Sequence, residues 1–394
     1  MIRTQFRKKL VLLILSISGL VLSNAQEDSI AYLDLLFVGD IMQHQPQIAA
    51  AEIIANKSYD YESCFKYVRP IIKKADLAIG NLEVTLPGKP PYQGYPQFRS
   101  PDDLAFGLRQ AGFDMMVTAN NHSNDAGRGG LISTIQTLKS YGFYQTGTFK
   151  NALERNLFYP LILYKNDFKL GFLNYTYGTN GIKTRPPAIV NYIDTSQIKK
   201  DLDLVKLINP DFTIVFMHWG KEYELRESEE QQKLAKWLLH NGADVIIGAH
   251  PHVVQPIREY MDTVAGHKKL VVYSMGNFIS NQTKANTDGG IMVSLRLAKH
   301  KPGQRTILED HRFIPVWRYV RKEKNKKRKY YAIPVSAFEN GREKYLNMEK
   351  SAIQSMQYFA KKTRDRLNQW QGKEQFVDLS TLKEIDENIE AAGN

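Results

Sequence analysis

The chain has 394 residues, 43% of them hydrophobic, a formal net charge of +12 and a single cysteine, Cys64. That length suits one large α/β unit with an appendage and excludes a minimal domain, and a lone cysteine excludes an internal disulfide framework, so stability has to come from a buried core. Four of the positive charges fall in the first nine residues, which leaves about +8 for the rest, and most of that excess is confined to one stretch near the C-terminus.

Arg3, Arg7, Lys8 and Lys9 precede an apolar run from Leu10 to Leu22 and a small-x-small site at Ser23-Asn24-Ala25. This is the grammar of a secretory signal over residues 1–25, and the apolar run is shorter than the ~20 residues a spanning helix needs. The expectation is therefore export to the periplasm or the extracellular space, with no transmembrane segment after cleavage and membrane association left open. Cys64 lies beyond the cleavage site, so no lipobox thiol is available to carry a lipid.

Asp34 to Gly39 reads as a buried strand that delivers Asp40 at its C-terminal end. Ala49 to Ala55 and Cys64 to Lys74 read as helical, and Asp76 to Ile79 as a second strand emptying into Gly80-Asn81-Leu82-Glu83. A Pro-, Gly- and Tyr-rich loop follows, then a helix that starts at Pro101-Asp102-Asp103 and stops at Gly112. Asp114 to Ala119 is the third strand, leading into Asn120-Asn121-His122-Ser123-Asn124-Asp125, and Leu131 to Tyr141 the next helix. Phe158 to Tyr164 and Lys169 to Tyr175 form a strand pair about an Asn166-Asp167 turn. Asp211 to Met217 is a strand ending in His218-Trp219-Gly220, Ser228 to Asn241 a helix, and Asp244 to Ile247 a strand ending in Gly248-Ala249-His250-Pro251-His252. Lys269 to Ser274 and Ile291 to Leu297 are late strands. These elements predict two α/β halves with packed sheets over residues 31–300.

Residues 301–394 read as a C-terminal extension, with strands near Phe313 to Val320 and Lys329 to Ile333, a long polar helix from Glu343 to Gln369 and a frayed acidic tail. Lys299 to Lys329 carries twelve Lys or Arg against Glu309, Asp310 and Glu323. Such an excess is too local for a nucleic-acid binder. It reads first as a solvated strand edge, and otherwise as a patch facing anionic headgroups or a polyanionic polymer.

Five strand ends present metal-capable side chains: Asp40 with His44, Asn81 with Glu83, Asn121 with His122, His218, and His250 with His252. In open α/β sheets, ligands collect beyond the C-terminal ends of the strands, so residues distant in sequence converge there. Imidazole, carboxylate and amide oxygen without thiolate suit Mn, Fe, Zn or Mg and argue against soft-metal or cluster chemistry. Any one of these residues alone could be a turn former or a helix cap. Coincidence at all five ends predicts a metal site.

With Phe98-Arg99-Ser100-Pro101, Ala111-Gly112-Phe113-Asp114 and Ser274-Met275-Gly276-Asn277-Phe278, these motifs resemble the bacterial capsule-synthesis CapA proteins from about Leu35 to Leu297. Those are similar to the polyglutamate-capsule proteins of the metallo-dependent phosphatase-like superfamily. The resemblance implies a four-layer α/β/β/α sandwich holding one or two divalent ions of Mn, Zn or Fe. It assigns Asp40, Asn121, His218, His250 and His252 as ligands and His122 as the group that protonates the leaving group. Arg99, Asn81 and Lys221 become substrate-binding candidates. Two departures stand out. His44 follows Asp40 by four positions where the superfamily has Asp-x-His, which puts its reach to the metal in doubt. Neutral Asn81 and longer Glu83 replace the bridging aspartate of Gly-Asp-x-x-Asp, so Glu83 is the candidate to hold a second ion. The function implied is a metal-dependent hydrolase acting on a phosphoester, amide or glycan-linked substrate of an anionic envelope polymer. The alternatives are a non-catalytic polymer- or partner-binding component of a capsule synthesis complex and, more remotely, a nucleotidase-like scavenger.

Overall fold

A computed structural model describes residues 30–263, 266–300, 305–322, 327–369, 372–378 and 380. The predicted signal, the acidic tail from 381 onward and two pieces of the basic stretch, 301–304 and 323–326, lie outside the described residues.

Fourteen strands build the two main sheets, numbered here in chain order: β1 (Ile30–Ile41), β2 (Leu77–Leu82), β3 (Met115–Val117), β4 (Tyr144–Thr146), β5 (Leu161–Lys165), β6 (Phe168–Thr176), β7 (Phe212–His218), β8 (Val245–Ala249), β9 (Ile257–Asp262), β10 (His267–Val272), β11 (Asn277–Ile279), β12 (Gly289–His300), β13 (Ile307–Arg321) and β14 (Lys329–Pro334). The first sheet runs β14-β13-β12-β1-β2-β3-β4, with β11 paired to the end of β1; the second runs β9-β10-β8-β7-β6-β5.

Alternation along β1 shows how the layers arise. Leu33, Leu35 and Phe37 enter the core between the sheets with Phe172, Ile214 and Phe216 of the second sheet, and the Phe37 and Phe216 rings meet at 5.6 Å. Leu36 and Val38 point the other way, into a core closed by Leu104 and Leu108 of the helix Asp103–Ala111. On the far side of the second sheet, Val215 and Ile246 pack under Ile198, Leu202 and Val205 of the helix Thr195–Ile208 and Ala235 and Leu238 of the helix Glu229–His240. Period-two strands with both faces apolar require cover on both sides, and the four-layer α/β/β/α sandwich supplies it.

Several elements differ from the sequence reading. The helix Thr195–Ile208, which the sequence reading does not assign, is capped by Asp194, whose side chain accepts from the backbone N–H groups of Ser196 and Gln197. The first predicted helix lies earlier, at Gln45–Ala51, because Pro46 starts it. Cys64 to Lys74 splits into Glu62–Phe65 and Arg69–Lys74. The long C-terminal helix begins only at Lys350, since Asn347 takes a left-handed conformation after a 3₁₀ turn. Strands β13 and β14, expected in an extension, pair antiparallel into the first sheet: Met292 faces Ile314, and Trp317 faces Ile333. β13 hydrogen-bonds to β12 and β14 to β13, which makes both continuous with the sheet of residues 31–300.

Candidate metal centre

Strands β1 and β2 are parallel neighbours with Asp40 opposite Asn81, and β11 places Asn277 opposite Asp40 on the other side. In the second sheet β7 and β8 are also parallel, with His218 opposite Ala249, so His250 follows at the same edge. Both sheets thus present their C-terminal strand ends to one place, where Asp40, Asn81, Glu83, Asn121, His122, His218, His250 and His252 are all buried.

Asp40 is held from three directions. Asn81 Nδ2 donates to its Oδ1 at 2.8 Å, the backbone N–H of His250 donates to Oδ2 at 3.4 Å, and His252 Nδ1 lies 3.1 Å from Oδ2. His252 Nδ1 is also 3.1 Å from Asn277 Oδ1, and His218 Nε2 lies 2.8 Å from Asn121 Oδ1. His250 and His252 adopt positive φ, 101° and 59°. Side chains with a Cβ rarely do so, and that strain at adjacent polar positions is the usual mark of a functional site.

Glu83 is the group this network leaves unsatisfied. It is fully buried, and neither carboxylate oxygen has a hydrogen-bond partner among the described residues. His218 Nε2 is 3.6 Å away. Burial, and then the negative charge of Asp40, hold the Glu83 carboxyl well above its usual range. Two buried carboxyls so placed need either a shared proton or a cation between them. Burial, and then the neighbouring histidines, lower the His218 pKa, and burial lowers that of His250 to about 3. Both imidazoles are therefore neutral, the state in which they ligate, and His250 Nδ1 is likewise without a partner among the described residues.

Two sets of ligand atoms have all members within 4.8 Å of one another: Glu83, His218 and His250, and Asp40, Glu83 and His252. They share Glu83. An orphaned carboxylate between neutral imidazoles fits a divalent cation, and the N/O donor set fits the borderline metals.

His122 stands beside this cluster. Its Nδ1 lies 2.6 Å from Asp125 Oδ2, which also accepts from the backbone N–H of Phe98 at 2.6 Å. The Phe98 ring packs against the imidazole with centroids 4.6 Å apart, and Asn180 Nδ2 is 3.5 Å from Nε2. Asp125 therefore fixes the tautomer and turns Nε2 outward.

Not every candidate joins the cluster. His44 precedes the helix Gln45–Ala51; its Nδ1 accepts from the backbone N–H of Asn281 at 3.2 Å, and Gln47 Oε1 accepts from its backbone N–H. It stays outside both ligand sets among the described residues. Lys221 is exposed in the loop after β7, near Glu230. Arg99 is half-buried beside Phe98, with no hydrogen bond to the cluster among the described residues. Conversely, Asp125, Asn180, Asn277 and Tyr177, whose ring lies 4.5 Å from that of His250, were not singled out. Asp125 had a signal in its spacing of three from His122. Tyr177 and Asn180 belong to an irregular loop and had none.

Residues 34–282 match the family described as bacterial capsule synthesis protein PGA_cap. The chain belongs to this family. It is 31% identical over 274 residues to the capsule biosynthesis protein CapA of Bacillus anthracis, covering 67% of this chain and 64% of that protein, which is just under two thirds of the relative's length. It is 28% identical over 282 residues to the PGA biosynthesis protein CapA of Bacillus subtilis (strain 168), covering 68% of each. Among solved structures it is similar to a phosphatase from Mycoplasma pneumoniae, with a TM-score of 0.40 and 13% identity, covering 82% of this chain and 100% of that one. It is also similar to the calcineurin-like phosphoesterase YfkN from Bacillus subtilis, with a TM-score of 0.42 and 13% identity, covering 86% and 99%. Among the described residues, no helix of this capsule-synthesis family member is long and apolar enough to cross a membrane.

Proposed function

We propose that this protein is an exported, metal-dependent hydrolase of the phosphoesterase type that acts on an anionic polymer of the cell envelope during capsule synthesis. The observation that carries the reading is Glu83, a buried carboxylate with neither oxygen hydrogen-bonded among the described residues, shared by two sets of ligand atoms. That sharing lets Glu83 serve either set, so the residues present could hold one ion or two. With two, Asp40 and His252 would hold one ion, His218 and His250 the other, and Asn121 would contribute its amide oxygen. A divalent cation bound there would polarise the scissile oxygen and lower the pKa of water. His122 would supply the proton: as a water oxygen bonds to the reacting centre and the bond to the leaving oxygen breaks, the imidazolium that Asp125 stabilises through Nδ1 donates from Nε2 to that oxygen, and the proton lost by the water restores the imidazolium afterwards. Capsule biosynthesis, named for the Bacillus anthracis relative, and PGA biosynthesis, named for the Bacillus subtilis one, motivate the polymer, and the N-terminal charge and apolar pattern motivates export.

One observation favours a second reading, a polymer-binding component without turnover. Asn81 is neutral and already committed to Asp40, His218 and Asn120, so the centre has one fewer negative charge to balance two ions.

The test is elemental analysis of the purified protein followed by assay with an aryl phosphodiester and a γ-glutamyl anilide. Stoichiometric Mn, Zn or Fe is expected in the wild type and in His122→Ala, and loss of metal in Glu83→Gln. His122→Ala is expected to lower turnover by about 10²–10⁴-fold, the worth of a general acid. A protein that retains no metal, or turns over no substrate with any of the three, sinks the hydrolase reading.

A further inference from the structure

A second cleft, of about 340 Å³, opens between the end of β13, the loop after β11 and the start of the helix Lys350–Asn368. Arg318, Lys322 and Arg328 line it, against Glu349 as the one acidic side chain among the described residues. Arg318 is the informative member. Its guanidinium is largely buried, yet among the described residues its Nη1 finds only the neutral Oδ1 of Asn281, at 3.4 Å, and its Nε finds nothing. That Asn281 oxygen already accepts from Tyr330 Oη at 2.8 Å; Asp288 lies near enough for its charge to act on Arg318, but among the described residues it makes no side-chain hydrogen bond to the guanidinium, and its Oδ2 accepts from Trp317 Nε1 at 2.8 Å. A buried cation with more donors than acceptors calls for an anion. The helix that borders the cleft through Ser351, Ala352 and Ser355 starts after Glu349, whose side chain makes no cap hydrogen bond but places a carboxylate at the helix's positive end, so the cleft's positive charge comes from the three cationic side chains and not from the helix.

A run of packed residues links the cleft to the neighbourhood of the metal centre. Asn281 donates through its backbone N–H to His44 Nδ1, the His44 ring lies 5.0 Å from that of Phe98, and Phe98 lies 4.6 Å from His122. Its aromatic residues, Trp317 and Tyr319, stack on each other and are only 5% and 3% exposed. They leave no open ring face for a nucleobase, so recognition falls to anionic oxygen alone.

We propose that this cleft binds the carboxylate or phosphate oxygens of an acidic polymer and holds the chain on one side of the bond presented to the metal centre. The binding claim stands on the cleft itself; the positioning role rests on the hydrolase reading above.

The experiment is a titration of the full-length protein, with metal removed by chelation, against a glutamate hexamer and separately against tripolyphosphate, followed by calorimetry. Saturable binding that weakens with salt is expected for at least one probe, and which one binds identifies the anion. Arg318→Gln is expected to weaken it about tenfold, the worth of a charged hydrogen bond. The exposed variants Lys322→Glu and Arg328→Glu, which leave the core alone, are expected to weaken it and flatten its salt dependence. His250→Ala is expected to bind as the wild type does. No binding by either probe, or equal binding by wild type and all three cleft variants, overturns the proposal, as does binding lost in His250→Ala but kept in Arg318→Gln. Binding that persists in a protein found to hold no metal leaves the cleft standing and removes only the hydrolase reading.

Discussion

Loss of solvent around His44 keeps its imidazole neutral far into the acid range; its pKa falls from 6.5 to about 4, with Arg318, His252 and His122 adding repulsion that Gln47 only partly offsets. Between those two values the unfolded chain binds a proton that the folded protein refuses. Stability is therefore fully present above about pH 6.5 and is lost as pH falls toward 4, with a slope of about 1.4 kcal/mol per pH unit and a total near 3 kcal/mol from this residue. His218 and His250 shift in the same direction, so the whole apoprotein is expected to be acid-sensitive. In His44→Asn an amide oxygen replaces the ring nitrogen that accepts from Asn281. Chemical unfolding in the presence of chelator should show the same pH dependence for wild type and variant above pH 6.5, and the variant losing clearly less stability between 6.5 and 4.5. Parallel curves through that window would show that the His44 imidazole does not titrate with folding.

At the scale of elements, the polar residue following each short apolar strand was legible because parallel strands deliver their C-terminal ends to one edge, whatever lies between them in sequence. The register that makes those ends meet was not legible. Nothing in Gly276-Asn277 announces that β11 lies against β1, or that His250 and His252 take positive φ. The helix Thr195–Ile208 escaped for a different reason: its apolar positions, Ile198, Leu202 and Val205, are diluted by charges on every side. Gly39 shows how tight the pairing at the centre is. A Cβ added there would sit 1.9 Å from the carbonyl oxygen of Gly276, the same oxygen that accepts from the backbone N–H of Asp40. Gly39→Ala must push β1 and β11 apart and move Asp40 away from His252. It is expected to cost about 1–3 kcal/mol, as overpacking does, and to reduce metal content measured by elemental analysis. Gly129→Ala, in a helix where the added Cβ meets nothing within 4 Å, should instead stabilise by about 0.5–1 kcal/mol. If thermal melts rank the two variants the other way, the strand junction is not the rigid support that the centre needs.

For the molecule as a whole, the family match ends at residue 282, whereas the sandwich does not. Order along the first sheet is non-local, with β13 and β14 added at the side of β12 away from β1, which is why the basic composition of 299–329 hid their place. Ile314, Val316, Ile333, Phe338 and Phe359 complete the core outside that sheet, and Leu308, Phe313 and Leu367 reach the core between the sheets. Burying one large apolar side chain is worth about 1.5–3 kcal/mol, against a total stability of about 5–15 kcal/mol for a folded domain. Loss of eight such residues therefore exceeds what the remaining structure can offset. It would also leave β12, from Gly289 to His300, as a long open edge. A chain ending at His300 is accordingly expected to aggregate and to show no cooperative melt by circular dichroism, even though it keeps every residue of the candidate metal centre. Should that truncation stay monomeric and unfold with a midpoint close to that of the full chain, the C-terminal strands would be an accessory to the sandwich and the Arg318 cleft a separable attachment.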